Sequence, residues 1–338
     1  MSTNVTSKRE GFIITSSPHI FAPTTTQRIM FTVILTLIPA AVMSILFFGM
    51  RVLLLYLVAV VSAMATEAIV KLLRRRDWRS ISDGSAALTG ILLVMVLPPT
   101  ISPVIVALGS AVAIFIGKEV FGGLGANIFN PALVGRAFIS ASYPVQITNY
   151  VAPRPVFGFL SAGIGPEGTS GATPLQAARF EGVRADNIDL LLGQVGGSIG
   201  GTSTIALVVG GLVLLALKLI NWRLVLSYLG SVFVLTGIFY LIDPASYADP
   251  VFHILSGGLV IAAFYMATDM VSSPITNTGQ VIFGLGAGLI VVVIRLFGGF
   301  PEGVMYSILL MNAVTPIINR YTNTTTFGSV EAREGASS

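Results

Sequence analysis

The chain has 338 residues, 54% of them hydrophobic and only 10% charged, and its formal net charge is +4. A soluble domain carries roughly a quarter charged residues, so this composition excludes an ordinary soluble protein. It predicts an all-α, polytopic membrane protein, in which the basic residues mark topology and indicate no nucleic-acid partner. The chain has no cysteine and therefore no disulfide or thiolate ligand, and its two histidines predict no metal site.

Apolar runs separated by glycine, proline and charged residues predict about ten transmembrane helices. A polar cytoplasmic segment, 1–27, precedes them and lacks the apolar core of a signal peptide. The first transmembrane half spans 28–143, a long polar loop spans 144–202, the second half spans 203–318, and a cytoplasmic tail follows at 319–338. The ten segments are 28–49, 52–72, 84–98, 103–121, 128–143, 203–220, 223–242, 251–269, 279–297 and 301–318.

The distribution of lysine and arginine predicts the orientation of these segments. Most basic residues fall on the side of the N-terminus, including the cluster LLRRRDWR at 72–79, whose simplest role is to anchor the chain to anionic lipid. Both termini are therefore expected in the cytoplasm and the loop 144–202 outside. A polar loop of this length is more often functional or disordered than a mere connector.

A weak internal repeat relates the two halves at one constant offset. The repeated residues are Pro98 with Pro274, Thr100 with Thr276, and Phe121-Gly122-Gly123 with Phe297-Gly298-Gly299. Because each half holds an odd number of segments, the halves are expected to lie in the membrane with inverted topology. This pattern predicts a cavity between the halves, and it suits a solute channel or transporter equally well. The short segments 84–98 and 128–143 predict helices that are tilted, broken or partly re-entrant.

Ionisable residues within or beside the apolar segments are candidates for an ion path, because burying an unpaired charge is costly. Asp83, Glu119 and Asp269 are expected near the cytoplasmic ends of their segments, and Glu67 and Arg136 lie within segments. The alternative is that these groups form structural pairs or sit at helix ends.

Asn127 and Asn130 form a second candidate group, in GGLGANIFNP. If this stretch is helical, they share one helix face, and their amides offer the donors and acceptors that a flavin's pyrimidine edge requires. The alternative is helix capping, because Asn130 precedes Pro131 as in a common pair of helix-starting residues.

The third candidate is Thr173, at the end of the polar run EGTSGAT (167–173) in the long loop. No histidine lies near it in the sequence, so this threonine is not predicted to act as a hydrolytic nucleophile. Modification of its hydroxyl by another enzyme is the functional interpretation, and a flexible loop is the alternative.

The run EGTSGAT resembles the flavin-transferase acceptor motif, Asp-x-x-Ser/Thr-Gly-Ala-Thr, in which the last threonine receives FMN through a phosphoester bond. Glu167 stands where the motif has Asp. Other stretches are similar to signatures of one membrane family, which comprises the D subunit of the Rnf ferredoxin:NAD oxidoreductase and the B subunit of the sodium-translocating NADH:quinone reductase. These stretches are SSPHIFAPTTTQRIM (16–30), GKEVFGGLGANIFNPALVGRAF (117–138) and ATDMVSSPIT (267–276).

The resemblance implies an electron-transfer subunit of a bacterial inner-membrane complex, in which redox energy drives sodium or proton export. It implies covalent FMN on Thr173 and a noncovalent riboflavin near Asn127 and Asn130. A flavin transferase and the other subunits would be partners. The acceptor motif is formed by Glu167, Ser170, Gly171 and Ala172 together with Thr173.

One departure from the family pattern concerns ion coupling. The stretch GSIGGTS (197–203) resembles a family sequence that usually reads Gly-Ser-x-Gly-Glu-Thr-Ser, and Gly201 occupies the position of the glutamate. Any role of that carboxylate in cation passage is missing here or is supplied elsewhere. The opening SSPHI favours the D subunit, with a B-type subunit or a transporter without redox role as alternatives.

Overall fold

The computed structural model describes residues 25–75, 78–153, 170–201, 203–299 and 302–322. Most of these residues are helical, and within the described ranges the only strands are one antiparallel pair of two residues each. The prediction of an all-α membrane protein is confirmed at this level.

The first half of the chain forms five helices joined by short turns. They are α1 (Thr26–Phe48), α2 (Met50–Leu73), α3 (Ser85–Met95), α4 (Pro103–Ile114) and α5 (Pro131–Ser142). A 3-10 turn (Trp78–Asp83) leads into α3, and a π turn (Phe115–Glu119) extends α4. Gly49, with φ of 84°, makes the one-residue corner between α1 and α2, a conformation that L-residues with a side chain rarely adopt.

The second half also places helices on every predicted segment. They are α9 (Thr204–Ala216), α10 (Trp222–Ile242), α11 (Pro250–Leu255), α12 (Leu259–Ile261), α13 (Asn277–Phe297) and α14 (Val304–Tyr321). A π turn (Ala262–Met266) continues α12. Several of these helices start with proline or with a capping side chain. Pro250 opens α11, and the side chain of Thr276 caps α13 by accepting a hydrogen bond from Gly279 N.

Within the described residues, four helices are long and apolar enough to cross a membrane, namely α1, α2, α10 and α13. Their outward faces carry large apolar side chains such as Leu35, Val61, Leu226 and Leu289, which are 61%, 64%, 61% and 52% exposed. A soluble monomer rarely exposes so much apolar surface. The structure therefore supports a multi-pass membrane protein.

The segment predicted at 84–98 holds one short helix, α3, followed by irregular backbone. α3 ends at Met95, and carbonyls at and just beyond its end accept hydrogen bonds from the chain just before α9. Gly200 N donates to Met95 O at 2.6 Å, and Ile199 N donates to Leu97 O at 2.9 Å. Protein thus covers the irregular backbone that follows α3, which is the condition for tolerating such a break at membrane depth.

The region predicted as a long polar loop has defined structure over its described residues. It holds α6 (Pro144–Ile147), β1 (Tyr150–Val151), β2 (Ser170–Gly171), α7 (Pro174–Gln176), a π turn (Ala177–Glu181) and α8 (Asn187–Leu192). Leu175 and Leu190 form a small core with Ala248 and Phe252 of the second half. The described part of this loop is therefore packed onto the helices.

Candidate functional site

The acceptor motif is fixed to the protein by the short strand pair. Tyr150 of β1 pairs with Gly171 of β2, and Val151 pairs with Ser170. Glu167 lies outside the described residues. Gly171 and Ala172 are exposed, and a Cβ added at Gly171 would meet nothing within 4 Å. Open space therefore borders the motif just before the threonine.

Thr173 itself is buried, with 7% of its surface exposed, and it caps a helix. Its Oγ1 accepts a hydrogen bond from Gln176 N at 3.3 Å, while Thr173 N donates to Gln176 Oε1 at 2.9 Å. This reciprocal pair is a capping box at the start of α7. The threonine and glutamine three residues apart are the sequence signal of such a cap.

Thr173 lines a cavity that holds about 720 Å³ of empty space, part of it open to the surface. Arg136 of α5 and Glu302, just before α14, form an ion pair in its wall. Tyr150 and Tyr306 add two phenol rings. Burial raises the pKa of the Tyr150 phenol and the Glu302 carboxylate raises it further, so this hydroxyl stays protonated and can donate a hydrogen bond.

This donor set suits a phosphorylated aromatic ligand. A guanidinium pairs with phosphate or carbonyl oxygens, and phenol rings offer faces for stacking. The sequence placed Arg136 within a membrane segment but did not identify Glu302 or the two tyrosines. The sequence could have indicated an acidic partner for Arg136, because a buried arginine requires one.

Asn130 is the N-cap of α5. Its Oδ1 accepts hydrogen bonds from Ala132 N at 3.0 Å and Leu133 N at 3.3 Å, and its Nδ2 donates to Met266 O at 3.2 Å. The capping interpretation is therefore confirmed. Asn127 lies outside any helix, so the two asparagines do not share a helix face. The glycine-rich turn before α5, with positive φ at Gly122, Gly123 and Gly125, prevents a continuous helix.

Both asparagines nevertheless line one cavity between the two halves of the protein. Asn127 Nδ2 lies 3.5 Å from Asp269 Oδ2, and Asp269 also accepts a hydrogen bond from Ser272 Oγ at 2.8 Å. The cavity holds about 830 Å³ of empty space, and Lys118 also lines it. This volume falls in the range of small-molecule sites.

Lys118 belongs to a buried charge network that the sequence did not predict. Its Nζ donates to Glu67 Oε1 at 2.9 Å and to Ser85 Oγ at 2.6 Å, and Lys71 also pairs with Glu67. Basic residues assigned to the cytoplasmic surface are thus buried against a carboxylate within α2. The same network includes Asp83, whose Oδ1 accepts from both Ser85 N and Ser85 Oγ.

The three ion-path candidates occupy different environments. Asp83 holds the start of α3, and Asp269 lines the cavity between the halves. Glu119 is 1% exposed, with Arg74 Nη1 at 3.9 Å from its Oε2. Within the described part of the chain, neither carboxylate oxygen of Glu119 has a hydrogen-bond partner. The structure shows no direct contact among these three carboxylates.

Gly201 lies where a side chain has little room. A Cβ at this position would stand 2.7 Å from Ser198 Oγ and 3.3 Å from Gly257 O. The local packing therefore fits glycine, and a longer side chain would need a rearranged turn. Glu302 lines the same small cavity as Gly201 and Thr173.

Comparison with known proteins places the chain in a family. The NQR2, RnfD, RnfE family matches residues 13–328. The D subunit of a proton-translocating ferredoxin:NAD(+) oxidoreductase complex from Clostridium ljungdahlii is 46% identical over 332 residues, covering 95% of this chain and 98% of that protein.

Two further relatives carry similar names. The D subunit of a Na(+)-translocating ferredoxin:NAD(+) oxidoreductase complex from Acetobacterium woodii is 40% identical, covering 96% of this chain and 97% of its own. The D subunit of an ion-translocating oxidoreductase complex from Stutzerimonas stutzeri is 38% identical, covering 89% and 92%. The matches extend over nearly the whole sequence, and the chain therefore belongs to the NQR2, RnfD, RnfE family.

Proposed function

We propose that this chain is the D subunit of an ion-translocating ferredoxin:NAD oxidoreductase complex in a bacterial cytoplasmic membrane. It would carry electrons on bound flavin as one subunit of the oxidoreductase, and it would not be active alone. The names of the relatives, aligned over nearly their full lengths, support this assignment over a B-type subunit. The observation that carries the redox role is a motif threonine, Thr173, in the wall of a cavity with a buried arginine.

Covalent FMN on Thr173 is the first part of the proposal. The flavin would supply the redox chemistry when bound. Arg136, which keeps its ion pair with Glu302, would donate a hydrogen bond to the phosphoester or to a ring carbonyl, and Tyr150 and Tyr306 would offer aromatic faces. Because Thr173 Oγ1 is buried and accepts a hydrogen bond from Gln176 N, the flavin transferase would act on an opened cap. Ser170, Gly171 and Ala172 would give this enzyme room beside the threonine, and Glu167 would help to position the motif.

Riboflavin in the cavity between the halves is the second part. The Asn127 amide would hydrogen-bond to the ring edge, while Asn130 would line the wall and keep its capping contacts. Lys118, held by Glu67 and Ser85, would place a positive charge in the same wall. A positive charge there would favour a reduced, anionic flavin.

The third part concerns topology. We propose ten membrane crossings in two inverted repeats of five helices, with both termini in the cytoplasm and the acceptor motif outside. The packing supports this: α2 packs on α4 as α10 packs on α13, α4 packs on α5 as α13 packs on α14, and α1 packs on α9. These pairs correspond under the offset that relates Pro98 to Pro274.

The coupling ion is sodium or a proton, and the names of the Clostridium and Acetobacterium relatives divide between the two. Asp83, Glu119 and Asp269 are the proposed carboxylates of the ion path, with Glu119 favoured by its unpartnered oxygens among the described residues. A transporter of similar fold without redox role is the competing function, and it would need no flavin acceptor.

In-gel fluorescence under ultraviolet light after denaturation in SDS separates these functions. Protein from a host with an active flavin transferase is expected to fluoresce, because a phosphoester survives SDS and a noncovalent flavin does not. Thr173→Ala removes the acceptor hydroxyl and is expected to lose the band, while Thr173→Ser keeps some label. Thr148→Ala is the matched control, because this exposed threonine lines the same cavity but lies outside the motif. A dark wild-type band would favour the transporter.

Loss of the cap is expected to cost Thr173→Ala about 1 kcal/mol of stability. A thermal melting experiment on the same proteins before denaturation therefore shows whether the lost fluorescence reflects the missing hydroxyl or an unfolded protein.

A further inference from the structure

A third large cavity lies apart from both proposed flavin sites, at the C-terminal ends of α10 and α13. It holds about 890 Å³ of empty space and lies beneath the π turn Ala177–Glu181. Its polar lining includes Arg179 and Arg295, together with the imidazole of His253. Neither Thr173 nor the asparagine pair lines this cavity, so the proposed flavin function does not account for it.

The cavity carries uncompensated positive charge. Its described lining contains two arginines and no aspartate or glutamate. Across the described ranges, neither Arg179 nor Arg295 forms an ion pair within 4 Å of a carboxylate. Charge without a partner is expensive to hold at a buried site such as Arg295, which is only 3% exposed.

Two acidic groups near the cavity have other partners. Glu302, whose charge acts on Arg295, pairs with Arg136 and accepts a hydrogen bond from Gly258 N at 3.1 Å. Asp249, which lies near His253, caps α11 through Phe252 N. Neither carboxylate lines the cavity or forms an ion pair with Arg179 or Arg295.

A donor atom at the cavity remains unused as well. Arg295 Nη1 and Nη2 donate to His253 O and Ser256 O, the free carbonyls at the end of α11. Its Nε, however, is buried without a hydrogen-bond partner among the described residues. Arg179 Nη1 donates to Arg295 O at 2.5 Å, which brings the second guanidinium to the same wall.

A purely structural role explains only part of this arrangement. Bracing the end of α11 accounts for the two Nη contacts of Arg295. It does not account for a second arginine beside the first in a lining that, as described, holds no carboxylate. An anionic ligand would balance this charge, since phosphate oxygens accept several charge-assisted hydrogen bonds.

The surroundings of the cavity indicate what the rest of the ligand is. α10 and α13 are two of the four helices long enough to span a membrane, so their ends lie at headgroup depth. Large apolar side chains are exposed around this end: Phe180, Leu241, Ile242 and Phe297 are 65%, 81%, 72% and 60% exposed. An inorganic anion would leave this apolar surface uncovered, whereas acyl chains would cover it.

We propose that this cavity binds the phosphate of an anionic phospholipid, with Arg179 and Arg295 facing the headgroup and the acyl chains lying along α10 and α13. Basic pockets between membrane helices bind lipid headgroups by this chemistry. The site is independent of flavin, so it can be tested on protein made without a flavin transferase.

Native mass spectrometry of the delipidated full-length chain tests this proposal, with phosphatidylglycerol added in steps. Arg179→Gln is expected to weaken phosphatidylglycerol binding about tenfold, which is the loss of one charge-assisted hydrogen bond. Arg51→Gln is the matched control, because Arg51 also donates to backbone carbonyls, at Thr100 and Ile101, but lies away from this cavity. The affinity of Arg51→Gln for phosphatidylglycerol should equal that of the wild type.

Two further titrations distinguish a lipid phosphate from free inorganic phosphate. Phosphatidylcholine, which has the same phosphate but no net charge, should bind more weakly than phosphatidylglycerol. Inorganic phosphate at the same concentration should neither raise the melting temperature nor displace the lipid. If inorganic phosphate raised the melting temperature as much as phosphatidylglycerol does, the lipid assignment would be overturned.

A second variant leaves the arginines in place and fills the cavity from an exposed turn. Ser246 lines the cavity and is exposed, so Ser246→Trp should block the headgroup without disturbing the core. Affinities for phosphatidylglycerol equal to wild type in folded Arg179→Gln or in folded Ser246→Trp would overturn the proposal.

Discussion

Two roles meet at the hydroxyl of Thr173. In the structure it accepts a hydrogen bond from Gln176 N and starts α7, whereas the acceptor motif requires the same oxygen to bond to phosphorus. A phosphoester oxygen remains a weaker acceptor, so attachment would loosen the cap. The sequence motif identified the residue, but only the strand pair and the facing Arg136 show which cavity it borders.

The two asparagines have different roles: Asn130 caps α5, whereas Asn127 lines the cavity without capping a helix. Asn127→Leu is expected to lower extractable riboflavin with a smaller loss of melting temperature than Asn130→Leu, because Asn127 caps no helix. Asn130→Leu is expected to cost about 1 kcal/mol of stability in addition, since it removes the cap of α5.

Asn130→Asp serves as the control for capping. Aspartate keeps the oxygen that accepts from Ala132 N but loses the donor to Met266 O. Unchanged riboflavin in folded Asn127→Leu protein would remove Asn127 from the proposed site.

At the scale of elements, the sequence predicts where helices form better than where they end. Each of the ten apolar segments contains a helix, and α10 (Trp222–Ile242) differs from its predicted segment, 223–242, by one residue. The length of an apolar run predicts a helix from neighbouring residues in the sequence alone. The backbone at and after the end of α3 bonds to Gly200 N and Ile199 N, which are distant in the sequence, and so this contact could not be predicted from the local apolar run.

The ion pair between Arg136 and Glu302 joins α5 of the first half to the chain two residues before α14 of the second. Glu302→Ala would leave a buried guanidinium, 6% exposed as a residue, without its partner. Breaking such a pair is expected to cost about 3–5 kcal/mol, measured as a lower midpoint of thermal or denaturant unfolding.

The double variant Arg136→Met/Glu302→Met is the control, because it removes both charges and keeps similar volume. It should recover most of the lost stability. A single variant as stable as wild type would mean that the pair does not hold the two halves together.

At the scale of the whole molecule, the proposed orientation follows from the basic residues, and the fold gives it one independent check. α1 and α2 turn at Gly49, so the start of α1 and the end of α2 lie on the same side. A reporter fused after Arg79 is expected on the cytoplasmic side, and one inserted near Gly171 outside. Both reporters on one side would contradict the ten-crossing arrangement.

The central claim is that Thr173 carries FMN in a redox-driven complex, and mass spectrometry of its tryptic peptide tests this most directly. The peptide runs from Ala137 to Arg179, because Pro155 blocks cleavage after Arg154. In protein from a host with an active flavin transferase, the peptide mass should increase by FMN less one water, with fragments placing the addition on Thr173. An unmodified peptide from that host would contradict the account.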